Sequence, residues 1–285
     1  MNSLCIKTND DNTLKYLQNE FSEFNMLNVS FSCNEFKLYK NIIIHYKGID
    51  TELFYTKLAT ILSYLVIDNF EENIIKNIII SNYFYFDKAE ISNIIDLCSE
   101  NLCDDEFSLS NRQLCLFNAF YDYITTHYSI VLTGFINFRL YEYRNLLNNL
   151  VDFSVNEFII EREYLEFISL VKLYVNSQPC NYGTVHIICF DFDTILLNEN
   201  LENIEINRNT LNAKYLSDVT FSDNDYILNT LLNLLPSKIF LHVKSLSSNS
   251  EFANTLKLIF EDRLQICSDC NICNLYKNIS INHKK

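Results

Sequence analysis

The chain has 285 residues, of which 48% are hydrophobic and 20% charged, which excludes a disordered protein and allows one large or two modest domains. Its 22 basic against 36 acidic side chains give a net charge of −14, which repels phosphate backbones and argues against nucleic acid as a partner. Because it has only three glycines and two prolines, few turns can use positive φ or a proline ring, and helices should dominate.

No segment has the features of a targeting or membrane-spanning sequence. The N-terminus lacks a basic start followed by an apolar core, and the best apolar run, residues 129–136, is too short to span a bilayer. We therefore expect a cytoplasmic protein that does not use a membrane as partner. In that compartment its ten cysteines should be reduced thiols rather than disulfides.

The first 104 residues are predicted to form an N-terminal α/β portion. Apolar and β-branched runs predict strands at 3–7, 28–34 and 38–46. Between the first two, apolar residues recur at the spacing of one helix face and predict a helix over 11–24. A second helix should begin at Asp50 or Thr51, both of which are good N-cap residues.

Residues 105–179 are predicted to form a helical segment. Apolar residues keep a helical period from about 109 to 177, with an interruption expected at Gly134. Pro179 ends this segment, because proline disfavours a helix at the residue before it.

Residues 180–285 are predicted to form a C-terminal α/β portion. Strands are expected at 184–190, 194–197, 238–243 and 263–266, and helices at 222–235 and 250–261. The first two strands should form a hairpin around Asp191-Phe192-Asp193. The whole chain is therefore predicted to be α+β, with a predominantly helical middle and a C-terminal mixed β-sheet. Residues 105–285 are expected to fold as one unit.

Three cysteines near the C-terminus have the spacing of metal ligands. Cys267, Cys270 and Cys273 are each separated by two residues, and a tight turn can bring such thiolates to the same side of the chain. The cofactor could be zinc or an iron–sulfur cluster, both of which require a fourth ligand. The alternative is three reduced thiols on a C-terminal turn.

The fourth ligand is left open by the sequence. His283 lies ten residues beyond the last cysteine of the cluster, and Cys180 or Cys189 could reach it through the fold. A second closely spaced cysteine pair, which would complete a zinc ribbon, does not occur.

Three histidines lie within predicted apolar strands. His45, His186 and His242 could converge on a metal or a proton-transfer site if their strands were neighbours. Strand alternation can also send them to different faces, so ordinary hydrogen-bonded core histidines are the default expectation. Convergence would support an alternative function, a metal-dependent enzyme that uses these histidines or the cysteine cluster.

No complete catalytic constellation is visible, and the catalytic residues are unknown. Three isolated glycines cannot build a phosphate loop. Asp191 and Asp193 follow an apolar strand, but Thr194 comes directly after the second aspartate, a position that does not fit a phosphotransferase motif; an aspartate-rich turn explains the pair.

Several motifs in the later part of the chain are typical of one family. They lie at 134–140, 155–168, 185–188, 260–263 and 266–273. In order and spacing they resemble the YtxC-like sporulation proteins of endospore-forming Firmicutes. The resemblance implies a cytoplasmic protein connected with sporulation, and it implies no activity or substrate. We therefore expect a structural or interaction protein with an unknown protein partner.

Overall fold

The computed structural model describes residues 2–36, 39–190, 193–206, 222–243, 250–267 and 269–273. Contacts divide the chain into two compact units, unit 1 (Met1–Ile160) and unit 2 (Glu161–Lys285). Each unit contains a four-stranded mixed sheet packed with helices, which confirms the α+β class. This division falls after Ile160 and not at the predicted boundaries, 104 and 179. The predicted boundaries concern folding units and remain a prediction.

The sheet of unit 1 has the strand order β2-β3-β1-β4. Its strands are β1 (Asn2–Thr8), β2 (Val29–Glu35), β3 (Lys40–Tyr46) and β4 (Ser129–Val131). β3 pairs antiparallel with both β1 and β2, whereas β4 runs parallel to β1. Alternate residues of the two central strands are fully buried, which places one face of the sheet against the core.

Helices make up most of the rest of unit 1. They are α1 (Asp11–Ser22), α2 (Thr51–Asn69), α3 (Glu71–Asn82), α4 (Lys88–Asn101), α5 (Leu109–Thr126), α6 (Leu132–Phe138) and the first part of α7 (Tyr141–Ser177). The side chain of Asp10 caps α1 and that of Asp50 caps α2, so the predicted start of α2 is confirmed. Among the described residues, no helix has both the length and the apolar character needed to cross a membrane.

The predicted helical segment contains one strand that the pattern did not reveal. β4 interrupts it and pairs with β1, opposite Cys5, Ile6 and Lys7. Gly134 lies inside α6 and not at a break between helices, so that prediction was wrong. The interruption comes at β4 because an edge of the sheet accepts a short β-branched run that would otherwise continue the helical pattern.

A buried ion pair lies in the core of unit 1. The Arg112 guanidinium contacts the Glu71 carboxylate, and its Nε donates to the Phe107 carbonyl at 2.9 Å. The Tyr143 hydroxyl donates to the second oxygen of Glu71. Burial and the nearby Glu71 charge raise the pKa of Tyr143, so this hydroxyl stays protonated as a donor. Every charge in this cluster therefore has a partner supplied by the chain.

The sheet of unit 2 has the strand order β6-β5-β7-β8. Its strands are β5 (Tyr182–Phe190), β6 (Asp193–Leu197), β7 (Pro236–Val243) and β8 (Leu264–Cys267). β7 runs parallel to both β5 and β8, and β6 is antiparallel to β5. The predicted hairpin is confirmed by the β5–β6 pairing, although Asp191 and Phe192 of its turn lie outside the described residues.

The two faces of this second sheet have different environments. Val185, Ile187, Ile239 and Leu241 point to one face and pack in a core with α8 (Asp223–Leu234), α9 (Ser250–Phe260) and the later part of α7. The residues between them point to the opposite face, because side chains alternate along a strand. That opposite face carries His186, Phe240 and His242, and it holds the candidate site.

Candidate metal centre

Strand pairing places a histidine beside the first cysteine of the cluster. β7 and β8 are parallel, and their last paired residues are His242 and Cys267. Residues in register on parallel strands project to the same face of a sheet. The imidazole and the first thiol therefore lie side by side at the carboxyl ends of two neighbouring strands.

The chain after β8 brings the other two thiols to the same place. Residues 271–273 form a helical turn, and the Cys273 backbone N–H donates to Cys270 Sγ at 3.5 Å. A spacing of three residues in such a turn directs both side chains to one side. Ser268 lies outside the described residues.

The four side chains form a compact group with the dimensions of a tetrahedral site. His242 Nδ1 lies 3.3 Å from Cys273 Sγ and 3.4 Å from Cys270 Sγ. Cys273 Sγ lies 3.6 Å from Cys270 Sγ and 3.9 Å from Cys267 Sγ, and all four ligand atoms lie within 4.8 Å of one another. Zinc bonds of about 2.3 Å to sulfur and about 2.0 Å to nitrogen give tetrahedral edges of about 3.8 Å between two sulfurs and about 3.5 Å between sulfur and nitrogen. The four distances given above are close to these edges.

The group is largely shielded from water. His242 and Cys273 are buried, with 2% and 0% of their surface exposed, and the other two cysteines are half-buried. Ile188 and Leu197 pack against the thiols from the strands below. An apolar surrounding of this kind strengthens the attraction between thiolates and a cation.

Burial keeps the imidazole in the form that binds metals. It lowers the pKa of His242 to about 4, with the neighbouring His186 adding to the effect. The ring is therefore neutral at physiological pH, and a neutral imidazole nitrogen has the lone pair that a metal needs.

Two of the thiols differ in how easily they ionise. Burial raises the pKa of Cys273 to about 11. Burial also opposes ionisation of Cys270, but the hydrogen bond from the Cys273 backbone N–H and the hydrogen bonds with the Cys267 and Cys273 thiols together lower its pKa. A bound cation would favour the thiolate form of its cysteine ligands, because its charge stabilises thiolates directly.

The second strand histidine contacts the first. His186 Nδ1 lies 3.0 Å from His242 Nε2, on the side of the ring away from the sulfurs. Its ring stacks on Phe240, with centroids 5.2 Å apart and planes inclined by 15°. Burial lowers the pKa of His186. Two of the three strand histidines therefore converge, whereas His45 lies on β3 of unit 1, where Ser3 Oγ is 2.9 Å from its Nδ1.

The two other cysteines considered as a fourth ligand are not at the site. Cys189 points to the helix-packed face of the sheet and is buried there. Cys180 is exposed and precedes β5; that end of the sheet is about 20 Å from His242 at the usual rise of a strand. His283 lies outside the described residues. The sequence did contain a signal for His242, since it is the next-to-last residue of one predicted strand and Cys267 directly follows another.

Comparison with known proteins places most of the chain in one family. Residues 56–265 match the YtxC-like family, whereas no curated protein and no solved structure matches the chain. The match begins within α2, earlier than the motifs that first suggested the family. It includes His242 and ends two residues before Cys267. Because the match covers well over half of the 285 residues, the chain belongs to the YtxC-like family.

Proposed function

We propose that the protein is a non-enzymatic structural or interaction protein whose C-terminal unit is held together by one zinc ion. The ligands in this proposal are His242, Cys267, Cys270 and Cys273. The observation that carries it is the mutual approach of the four ligand atoms to within 4.8 Å. Three of them come from one short segment, and the fourth comes from a neighbouring strand.

The geometry favours a single ion over an iron–sulfur cluster. In an iron–sulfur cluster an iron atom has at most two protein ligands, because the bridging sulfides fill its other positions, so three cysteine sulfurs and an imidazole do not converge on one point. Here Cys273 Sγ lies 3.6 and 3.9 Å from the other two sulfurs, which leaves room for one ion only. Thiolates with one imidazole in tetrahedral positions are a typical ligand set for structural zinc.

The ligand count favours a structural role over a catalytic one. A catalytic zinc keeps one position open for water or substrate, whereas a structural zinc has four protein ligands. All four positions are provided for here, and His242 and Cys273 are buried. The rival function, a metal-dependent enzyme, would require one of these residues to leave the ion.

Metal content of the purified protein tests this proposal. We expect one zinc per chain in protein purified under reducing conditions without chelators, measured by elemental analysis. Cys270→Ser and Cys273→Ser should each lose most of the zinc, because three ligands hold the ion more weakly than four. Cys180→Ser is the matched control, since this cysteine is exposed and precedes β5, and it should keep full occupancy. Wild-type protein without stoichiometric zinc, even after reconstitution, would refute the proposal.

A cytoplasmic location and a role in sporulation complete the proposal. Membership of the YtxC-like family supports the role, and three closely spaced free thiols fit a reducing compartment. The test is deletion of the gene in its own host, followed by counts of heat-resistant spores. We expect fewer spores after deletion and recovery with the wild-type gene, but not with the Cys273→Ser variant. Unchanged spore counts after deletion would refute the role.

A further inference from the structure

We propose that His186 is a positioning residue for the zinc site, and that it makes His242 bind the ion through Nδ1. This inference rests on the proposed zinc site and adds a residue that does not itself touch the ion. His186 would act as a hydrogen-bond acceptor that fixes both the tautomer and the orientation of the ligand ring.

The two nitrogens of His242 face different neighbours. Nδ1 faces the sulfurs of Cys270 and Cys273 at 3.4 and 3.3 Å, whereas Nε2 faces His186 Nδ1 at 3.0 Å. A neutral imidazole has a proton on one nitrogen and a lone pair on the other. When the Nδ1 lone pair points at the ion, the proton is on Nε2 and is donated to His186. His186 must then carry its own proton on Nε2.

This arrangement matches a recurring feature of metal sites. Histidine ligands generally donate their second N–H to an acceptor, which holds the ring in place and increases its basicity. The acceptor is usually a carboxylate, a backbone carbonyl or water. In this protein the atom in that position is an imidazole nitrogen of the neighbouring strand.

The fold holds His186 in place for this contact. β5 and β7 are parallel, and His186 is in register with Phe240, two residues before His242 on the same face. The Phe240 ring stacks on His186, and Lys238 Nζ lies 4.7 Å from the centroid of Phe240. The His186 and His242 ring planes are inclined by 18°, and their centroids lie 5.3 Å apart. With 3.0 Å between the nitrogens, that separation places both nitrogens between the two centroids on nearly one line. That orientation suits a linear N–H···N hydrogen bond.

Two substitutions separate an acceptor from a simple packing role. His186→Asn keeps an acceptor oxygen near the position of Nδ1, whereas His186→Leu fills similar space without an acceptor. We expect His186→Leu to weaken metal binding about 10- to 100-fold. His186→Asn, which keeps an acceptor, should bind the metal with an affinity within about threefold of wild type. His45→Leu is the control, because this histidine also lies in an apolar strand but belongs to unit 1.

The measurement is competition with a chromophoric chelator, using zinc and then cobalt(II) as the probe ion. The visible absorption of the cobalt protein reports the ligand geometry, and a shift in His186→Leu that is absent in His186→Asn would support positioning. If His186→Leu binds both ions as wild type does, the inference is wrong. If the wild-type protein itself binds neither ion, the proposed zinc site is wrong, and this inference with it.

Nitrogen-15 NMR of the zinc-loaded wild-type protein gives an answer that needs no variant. We expect the metal-induced shift at His242 Nδ1 and a proton on its Nε2. Zinc on Nε2 with the proton on Nδ1 would overturn the inference while leaving the zinc site in place. The NMR result therefore separates failure of the inference from failure of the proposed function, even if His186→Leu does not fold.

Discussion

Unit 1 and unit 2 each contain a four-stranded mixed sheet and each bury a cluster of polar side chains, but the two clusters are balanced in different ways. In unit 1, the carboxylate of Glu71 contacts Arg112 and Tyr143, so the chain itself supplies the opposite charge and the donor. In unit 2, a buried imidazole meets three thiols, all of which are potential ligands for a cation.

The two units therefore obtain part of their stability from different sources. The buried polar cluster of unit 1 is complete once the chain has folded, whereas the proposed site in unit 2 is completed only by an ion from solution. An ion that binds the folded form alone stabilises it by mass action. The stability of unit 2 should therefore depend on the concentration of free zinc, whereas the stability of unit 1 should not.

The largest expected effect is that of removing zinc from unit 2. When free zinc is about 1,000-fold above its dissociation constant, binding adds about 4 kcal/mol to the free energy needed to unfold the zinc-bound part of unit 2. A strong chelator should therefore accelerate amide hydrogen exchange in β7 and β8 while leaving β1 and β3 unchanged, as measured by mass spectrometry. Equal acceleration in both sheets, or none in either, would contradict the proposed difference between the two units.

A somewhat smaller effect is expected in unit 1 when one partner of its ion pair is removed. Arg112→Met leaves the Glu71 carboxylate buried without its cation, which should lower the free energy of unfolding by about 3 kcal/mol. Urea unfolding with saturating zinc measures this loss, and the chelator should not alter it. Arg139→Met, which removes an exposed arginine, is the control.

The double variant Glu71→Met/Arg112→Met tests whether the loss of stability comes from the unpaired charge. Replacing both partners of a buried pair by apolar side chains is often nearly neutral, so part of the lost stability should return, less the cost of leaving the buried Tyr143 hydroxyl without its Glu71 acceptor. A double variant as unstable as Arg112→Met would show that the pair contributes through its shape and not through its charge.

The smallest expected effect is at the helix cap of α1. Asp10 accepts from the Thr13 N–H at 2.8 Å and from the Thr13 hydroxyl at 2.6 Å, and these hydrogen bonds lower its pKa below the usual 3.8. Asp10→Ala should cost about 1 kcal/mol at neutral pH. Because the pKa of Asp10 is lower in the folded state than in the unfolded state, the charged carboxylate contributes its full stabilisation above about pH 4. That stabilisation is lost as the pH falls through the folded-state pKa.

Urea unfolding of unit 1 at pH 7 and at pH 3 checks both parts of this prediction. The difference between wild type and Asp10→Ala should shrink at the lower pH. Asp10→Asn, which keeps the acceptor without the charge, should show little change between the two. A loss that stays constant with pH would mean that the neutral carboxyl caps the helix equally well.

Much of the secondary structure followed from local patterns. The strands β1, β3, β5, β7 and β8 and the helices α1, α2, α8 and α9 occur close to the predicted positions, because alternation and helical period are properties of short segments. β4 was missed for the opposite reason. Three residues carry too little pattern, and pairing with β1 decided their conformation.

The α+β class, the family and the spacing of the three cysteines could be predicted from the amino-acid sequence alone, since each follows from patterns read along the chain. The folded structure was needed to show that His242, and not Cys180 or Cys189, lies beside the cysteines. It likewise brought Arg112 to Glu71, 41 residues away. Such residues come into contact through strand register, the alternation of side chains across a sheet and helix packing. Each of these depends on segments that are distant in the chain, so a local pattern does not reveal the contact.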